Sequence, residues 1–264
     1  VKLPEPRADE TWTRIRAHDV GELWDASEAP HVAASYRTRM GFLADTLERL
    51  VPPGGKLLDV GCAQGTLGLM LAERGVRVEL LDVRATSIEY ARERWERGDV
   101  KFHVGELGEA CPPANDYDVV VCTEVVEHVP APSGLLLALK AKLRPGGALL
   151  LTTPNADYAF AHLPTYGGAP QQTIDHAEPN SMDGDAHRFL YTREELVALV
   201  RGAGLKLEAH GFFLPAWLEG HAKTRVLHRL AFSVRHDVLR VPPTLPEPLG
   251  RRLCSSQYLI ARQP

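Results

Sequence analysis

The apolar positions of this chain fall into short, almost continuous runs separated by amphipathic stretches. Leu57 and Leu58 lead through Asp59 into Val60, a Gly-containing turn occupies 61–65, and Leu67, Leu69, Met70 and Leu71 follow at mixed helical spacing. Residues 56–71 therefore predict a strand, a tight turn and the opening of a helix. The alternation continues with a second strand at 76–82 (VRVELLD), a helix at 85–97, a third strand at 100–104 and a strongly apolar fourth strand at 117–123 (YDVVVCT). A helix at 135–143 is stopped by Arg144-Pro145-Gly146-Gly147, and a fifth strand occupies 148–153. Thr192 then caps a helix at 192–202 that carries acids in its first turn. Strands at 205–213 and 255–262 complete the pattern. Upstream, 11–50 reads as mostly helical with a break at Pro30, and Met40, Leu43, Leu47 and Leu50 line one face. Residues 1–10 read as a frayed arm.

Apolar strands alternating with helices through short turns predict an α/β fold, a doubly wound, mostly parallel sheet of seven strands. Two stretches interrupt it. Residues 154–185 are long and rich in Pro, Gly, Asp and His, and such loops are usually functional or disordered. Residues 214–253 carry Lys223, Arg225, Arg229, Arg235, Arg240, Arg251 and Arg252 against few acids. The expected organisation is a helical N-terminal extension at 1–50 and a catalytic domain at 51–264, with insertions at about 155–186 and 214–253.

Composition narrows the class. An apolar share of 44%, a charged share of 24% and a net charge of −4 over 264 residues are ordinary for a globular protein. They give no global basic signal for nucleic acid. No apolar run approaches the length of a membrane span, and the first residues are unlike a signal peptide. Cys62, Cys111, Cys122 and Cys254 form no CxxC pair, so reduced thiols and a cytoplasmic enzyme are expected. The oligomeric state stays open, a homodimer included.

The candidate chemistry sits at the strand ends. Small residues in the 61–65 turn let a ligand approach the backbone, and the helix behind it offers unpaired N–H groups. Asp82 ends the second strand, 23 residues after Asp59, where an acid takes ribose hydroxyls in nucleoside-binding folds. Glu106 and Leu107 follow the third strand, a place for adenine contacts. Tyr36 and Arg39 either point back toward the Gly61 turn or lie in solvent. Glu124, Glu127 and His128 follow the fourth strand at i, i+3 and i+4, so a helical turn would project them from one face. A divalent cation would relieve the repulsion of the two carboxylates, and the O/N donor set suits Mg²⁺, Mn²⁺, Fe²⁺, Co²⁺ or Zn²⁺. The alternative is a metal-free site in which the histidine packs or acts as a base. In the long loop, His162, Asp175, His176 and Asp183 either line an acceptor pocket or are solvated.

The segments LLDVGCAQG, LLD, YDVVVCTEVVEHV, LRPGGALLLTTPN and HRFLYTREELVALVRGAGL, in this order, resemble the class I S-adenosylmethionine-dependent methyltransferases. Ala63 stands where many members carry a glycine. The resemblance implies that Asp59, Gly61 and Gly65 hold the methionine part of the cofactor, Asp82 the ribose and Glu106–Leu107 the adenine, with Arg39 on the cofactor carboxylate. Cys62, Ala63, Val83 and Thr123 complete the expected cofactor contacts. ExxEH, with TTPNADY and DAHRFLYTREE, resembles the small-RNA 3′-terminal 2′-O-methyltransferases, whose two glutamates and two histidines hold a metal beside a ribose diol. It is also similar to the ubiquinone-pathway catechol O-methyltransferases. The resemblance to the RNA enzymes implies a metal site at Glu124, Glu127, His128 and His187, and both relatives methylate one of two neighbouring oxygens; His128 or His187 as a general base is the alternative. Leu190-Tyr191 departs from the RNA enzymes, which carry an acid and a Trp there. The expected function is metal-assisted O-methylation of a small-molecule acceptor such as a sugar, diol or phenolic. An RNA-terminal ribose methyltransferase, a methyltransferase acting on nitrogen and a non-catalytic cofactor-binding protein are the alternatives.

Overall fold

The computed structural model describes residues 1–25, 27, 30–108, 115–175, 187–216 and 244–264, with the side chains of 172 and 175 left aside. The five predicted parallel strands form as β1 (Lys56–Val60), β2 (Arg77–Asp82), β3 (Val100–Val104), β4 (Tyr117–Thr123) and β5 (Leu143–Pro154). They are followed by β6 (Lys206–Pro215), β7 (Thr244–Leu245) and β8 (Cys254–Arg262). One sheet contains all of them in the order β3-β2-β1-β4-β5-β8-β6-β7. β8 runs antiparallel between β5 and β6, while β1 to β5 pair in parallel. The expected seven strands become eight because Thr244 and Leu245 pair with Phe213 and Phe212 at the sheet edge. Two residues are too few for an alternating pattern to reveal them.

The central strands look uniformly apolar because both of their faces are covered. On β4, Val119 and Val121 pack with Leu57, Leu150 and the helices α2 (Pro30–Leu50), α3 (Thr66–Glu73) and α4 (Ala85–Arg94). Val120 and Cys122 face the other way, with Leu58, Leu149, α5 (Pro132–Lys142) and α7 (Arg193–Gly202). The predicted stripe on α2 faces the core: Leu43 and Leu47 are fully covered, Met40 nearly so, and Leu50 at the helix end only partly. Each such side chain removed from water contributes about 1.5–3 kcal/mol. α7 begins as predicted, with a complete capping box between Thr192 and Glu195. α4 stops at Arg94 rather than 97, because Trp95 adopts extended backbone.

The N-terminal arm is not frayed. Lys2 N donates to Arg94 O at 3.1 Å, Trp12 Nε1 to Glu5 O at 3.0 Å and Arg16 Nε to Pro4 O at 2.9 Å. Helix α1 (Glu10–Asp19) presses Trp12 edge-on against Tyr90 of α4. A π-helical turn (Val20–Trp24) then leads toward α2, which Pro30 opens. Proline fits there because the first helical N–H has no partner in any case.

Of the first insertion, a 3₁₀ turn (Tyr166–Gly168) and the short α6 (Gln171–Asp175) are described; the expected loop residues His176 and Asp183 lie outside the described residues. Lys223, Arg225, Arg229, Arg235 and Arg240 of the second insertion also lie outside them, whereas Arg251 and Arg252 fall in α8 (Leu249–Leu253). No helix among the described residues is long and apolar enough to cross a membrane.

Candidate active site

The strand order reverses between β1 and β4, and ligands of open α/β sheets bind at the carboxyl ends of strands beside such a point. The 61–65 turn lies there. Gly61 has φ +72°, and a Cβ on it would come within 2.5 Å of Val125 Cγ2, so only glycine fits. Ala63 also has positive φ, at 48°, a conformation that costs a residue with Cβ roughly 1 kcal/mol. The strain is held by bonds to β2. Gly61 and Cys62 donate to Leu81 O at 2.8 and 3.1 Å, and Ala63 N donates to Asp82 Oδ2 at 2.9 Å.

Asp82 organises this edge. Its Oδ1 accepts from Arg84 N and Arg84 Nε, both at 2.9 Å, and its Oδ2 from Arg84 Nη2 at 3.0 Å in addition to Ala63. Asp59 is buried below the turn. Burial, and then the charge of Asp82, pushes its carboxyl up to about 7, against a backbone hydrogen bond from Gly68.

A cleft of about 1140 Å³ opens over the turn. Of the cofactor residues expected from sequence, Arg39, Asp59, Gly61, Cys62, Ala63, Asp82, Val83, Glu106, Leu107 and Thr123 line it. Gly65 does not; it caps α3 from behind the turn, with φ +74°. Tyr36 faces the cleft rather than solvent, and Gln64 Nε2 lies 3.4 Å from its hydroxyl. His162 is exposed and away from the cleft. Sequence reasoning passed over Glu22, Gln64 and Arg84, which also line it. Gln64 and Arg84 adjoin recognised residues, but Glu22 sits on a π turn far away in sequence and belongs to no motif.

The ExxEH stretch does not form the regular helical turn expected. Glu124 has φ +54°, and only Val126–His128 coils, as a 3₁₀ turn. The left-handed residue breaks the i, i+3, i+4 geometry. Glu124 Oε1 instead accepts from Thr152 Oγ1 at 2.8 Å, and its Oε2 lies 3.8 Å from Arg39 Nη1. Glu127, His128 and His187 do come together, with one potential ligand atom from each within 4.8 Å of the others, and Glu124 lies outside this set. Glu124, His128 and His187 line the cleft, with Glu127 fully buried beside it.

His187 reaches this place because its segment is bonded to the end of β5. Asn155 and Tyr191 form a bridge, Ala156 N donates to Tyr191 O at 3.0 Å, and Gln257 Nε2 of β8 donates to the same carbonyl at 2.6 Å. Phe189 and Tyr191 bury themselves in the core, leaving the histidine beside His128 with ring centroids 4.7 Å apart. Glu127 Oε2 accepts from Thr153 Oγ1 at 3.0 Å, while Oε1 is 3.6 Å from His187 Nε2. Glu127 Oε1 and His128 Nδ1 are buried with no hydrogen-bond partner among the described residues. Such groups are costly unless something satisfies them. Burial, and then the charge of Glu124, raises the Glu127 carboxyl well above its usual range. Burial, with the charges of His187 and Arg84, brings His128 down to about 4, so its imidazole is neutral at pH 7.

Comparison with known proteins identifies the family of this fold. Residues 34–210 match the family model described as a methyltransferase domain. The ubiquinone biosynthesis O-methyltransferase of Xanthomonas axonopodis pv. citri is 34% identical over 174 residues, 64% of this chain and 70% of that protein. The enzyme of the same name from Pectobacterium atrosepticum is 38% identical over 120 residues, which span 44% of this chain and about half of the relative, 49%. Among solved structures, an S-adenosylmethionine-dependent methyltransferase from Mesorhizobium loti superposes with a TM-score of 0.58 at 17% identity, covering 87% of this chain and 98% of that one. The magnesium protoporphyrin IX methyltransferase of Synechocystis PCC 6803, with bound S-adenosylhomocysteine, gives 0.59 at 15% identity, covering 97% and 95%. The chain belongs to the class I S-adenosylmethionine-dependent methyltransferases.

Proposed function

We propose that this enzyme methylates a hydroxyl of a small molecule bearing two neighbouring oxygens, such as a diol or catechol, with a divalent cation held by Glu127, His128 and His187. The observation that carries this reading is the buried pair Glu127 Oε1 and His128 Nδ1, without hydrogen-bond partners among the described residues, which lie with His187 at the cofactor cleft. The named relatives, O-methyltransferases of ubiquinone biosynthesis, support the choice of an oxygen acceptor. The donor set, one carboxylate and two imidazoles, suits a borderline or hard divalent ion and has no thiolate. Such an ion, when bound, would lower the pKa of an acceptor hydroxyl and fix its position.

The chain's own residues supply the rest. The turn holds the sulfonium cofactor so that the acceptor oxygen attacks the methyl carbon in line with the departing sulfur. The C–S bond breaks as the O–C bond forms, giving S-adenosylhomocysteine and a methyl ether, and the hydroxyl proton leaves to solvent. His128, neutral and with a basicity reduced by burial, serves better as a lone-pair donor than as a proton acceptor. Thr153 steadies Glu127 by donating to its other oxygen.

The test is turnover of a panel of catechols and vicinal diols after exhaustive chelation, with divalent ions added back. Loss and metal-specific recovery are expected. Full activity after metal removal overturns the cation, and methylation confined to amines overturns the oxygen acceptor.

A further inference from the structure

The cleft holds a charged group that the methyl-transfer chemistry does not use. Glu22 sits on the π-helical turn between α1 and α2 and lines the cleft with Tyr36, Arg39 and Gln64. π turns of this kind often occur at functional sites. Gln64 Nε2, from the cofactor turn itself, donates to Glu22 Oε2 at 3.1 Å. No cation forms an ion pair with Glu22 among the described residues. The two guanidinium groups whose charge reaches it are both engaged elsewhere. Arg94 pairs with Asp19 at 3.1 Å in full burial and donates to Gln64 O and Thr66 Oγ1, at 2.9 and 2.7 Å. Arg39 lies 3.8 Å from Glu124. Burial, with Asp19 adding to it and Arg39 opposing it, raises the Glu22 carboxyl to about 7. The carboxylate is thus held in place, partly desolvated and short of positive charge.

The cofactor carries the complementary group. Its amino-acid end is a zwitterion with an ammonium and a carboxylate on the same carbon. Arg39 suits the carboxylate, and the cleft offers a carboxylate on the same side for the ammonium. We propose that Glu22 recognises the ammonium group of the cofactor, with Gln64 holding the Glu22 carboxylate toward it. The N-terminal extension then completes the cofactor site, with the π turn supplying one half of a zwitterion clamp and α2 the other. A charge-assisted hydrogen bond of this kind, given to a carboxylate that has no ion-pair partner among the described residues, accounts for an affinity difference of about tenfold or more. An amine on the acceptor would satisfy the same carboxylate, and binding without acceptor separates the two.

The experiment is calorimetric binding of S-adenosylhomocysteine and of its deaminated analogue, hydrogen in place of the amino group, to wild-type and Glu22→Gln enzyme with no acceptor present. Wild type is expected to prefer S-adenosylhomocysteine about tenfold or more, and Glu22→Gln to bind the two alike while keeping wild-type affinity for the deaminated analogue. Retention of that analogue shows the variant folded. A Glu22→Asp variant, expected to keep part of the preference, serves if the Gln variant does not fold. The proposal is overturned if Glu22→Gln keeps the wild-type preference, if wild type shows none, or if Glu22→Gln loses both ligands equally while its melting temperature is unchanged.

Discussion

The two walls of the cleft are built on opposite terms. At the 61–65 turn the polar groups close on their neighbours: Asp82 accepts four hydrogen bonds, and the turn is tied to β2 by three backbone donors. At the proposed cation site Glu127 Oε1 and His128 Nδ1 are buried with no hydrogen-bond partner among the described residues. Closed networks rigidify a site ahead of binding, whereas unsatisfied buried groups lower stability until a ligand answers them. Preorganisation and demand for a ligand are thus divided between two halves of one sheet edge.

Substitutions separate these halves, and the largest effect belongs to the acceptor side. Glu127→Gln should lower kcat on the order of 100-fold, the effect expected from removing a ligand of the proposed cation, while S-adenosylhomocysteine binds within about threefold of wild type. Steady-state kinetics paired with calorimetry check the split, and an equal loss of cofactor affinity would merge the two halves. On the cofactor side Asp82→Ala should do the reverse, weakening S-adenosylhomocysteine by about tenfold or more, since the Ala63 turn and Arg84 lose their shared partner.

Asp59 gives the pH dependence. Its folded pKa is raised to about 7 from 3.8, so folding favours its protonated form. That contribution is complete below pH 4 and is lost as pH rises toward 7. Asp59→Asn should therefore flatten the fall of melting temperature between pH 4 and 7 and be more stable than wild type at pH 7, by a few kcal/mol at most. Parallel melting curves for the two proteins would refute this assignment. The smallest effect is Thr192→Ala, which removes the cap of α7 and should cost about 1 kcal/mol in thermal unfolding with kcat unchanged. A large fall in kcat would mean that α7 positions His187 more directly than its bonds suggest.

The sequence made local features legible and left the rest hidden. β1 to β5, the Gly61 turn and the capped α7 announce themselves within a few residues, because their periodicity and turn chemistry are short-range. For Tyr36 and Arg39 the sequence leaves the turn and the solvent equally open, and only the packing of α2 places both along the cleft. His187 entered through resemblance alone, since its place depends on the bridge from Tyr191 to Asn155 across the 156–190 segment. The expected geometry at 124 failed because a glutamate in left-handed backbone looks in sequence like any other. Glu22 was invisible because its partner Gln64 is 42 residues away and a π turn has no sequence signature.

The occupancy of Asp82 has a kinetic consequence. A carboxylate offers about four lone-pair sites, and here Ala63 and Arg84 already fill four. A ribose diol that bonds to Asp82 must displace guanidinium donors first. For a ribose that takes Asp82, entry is an exchange of partners, not an addition. Its association rate should carry the swing of the Arg84 side chain as a barrier, and the ribose should gain less affinity than two new hydrogen bonds to an empty carboxylate would give.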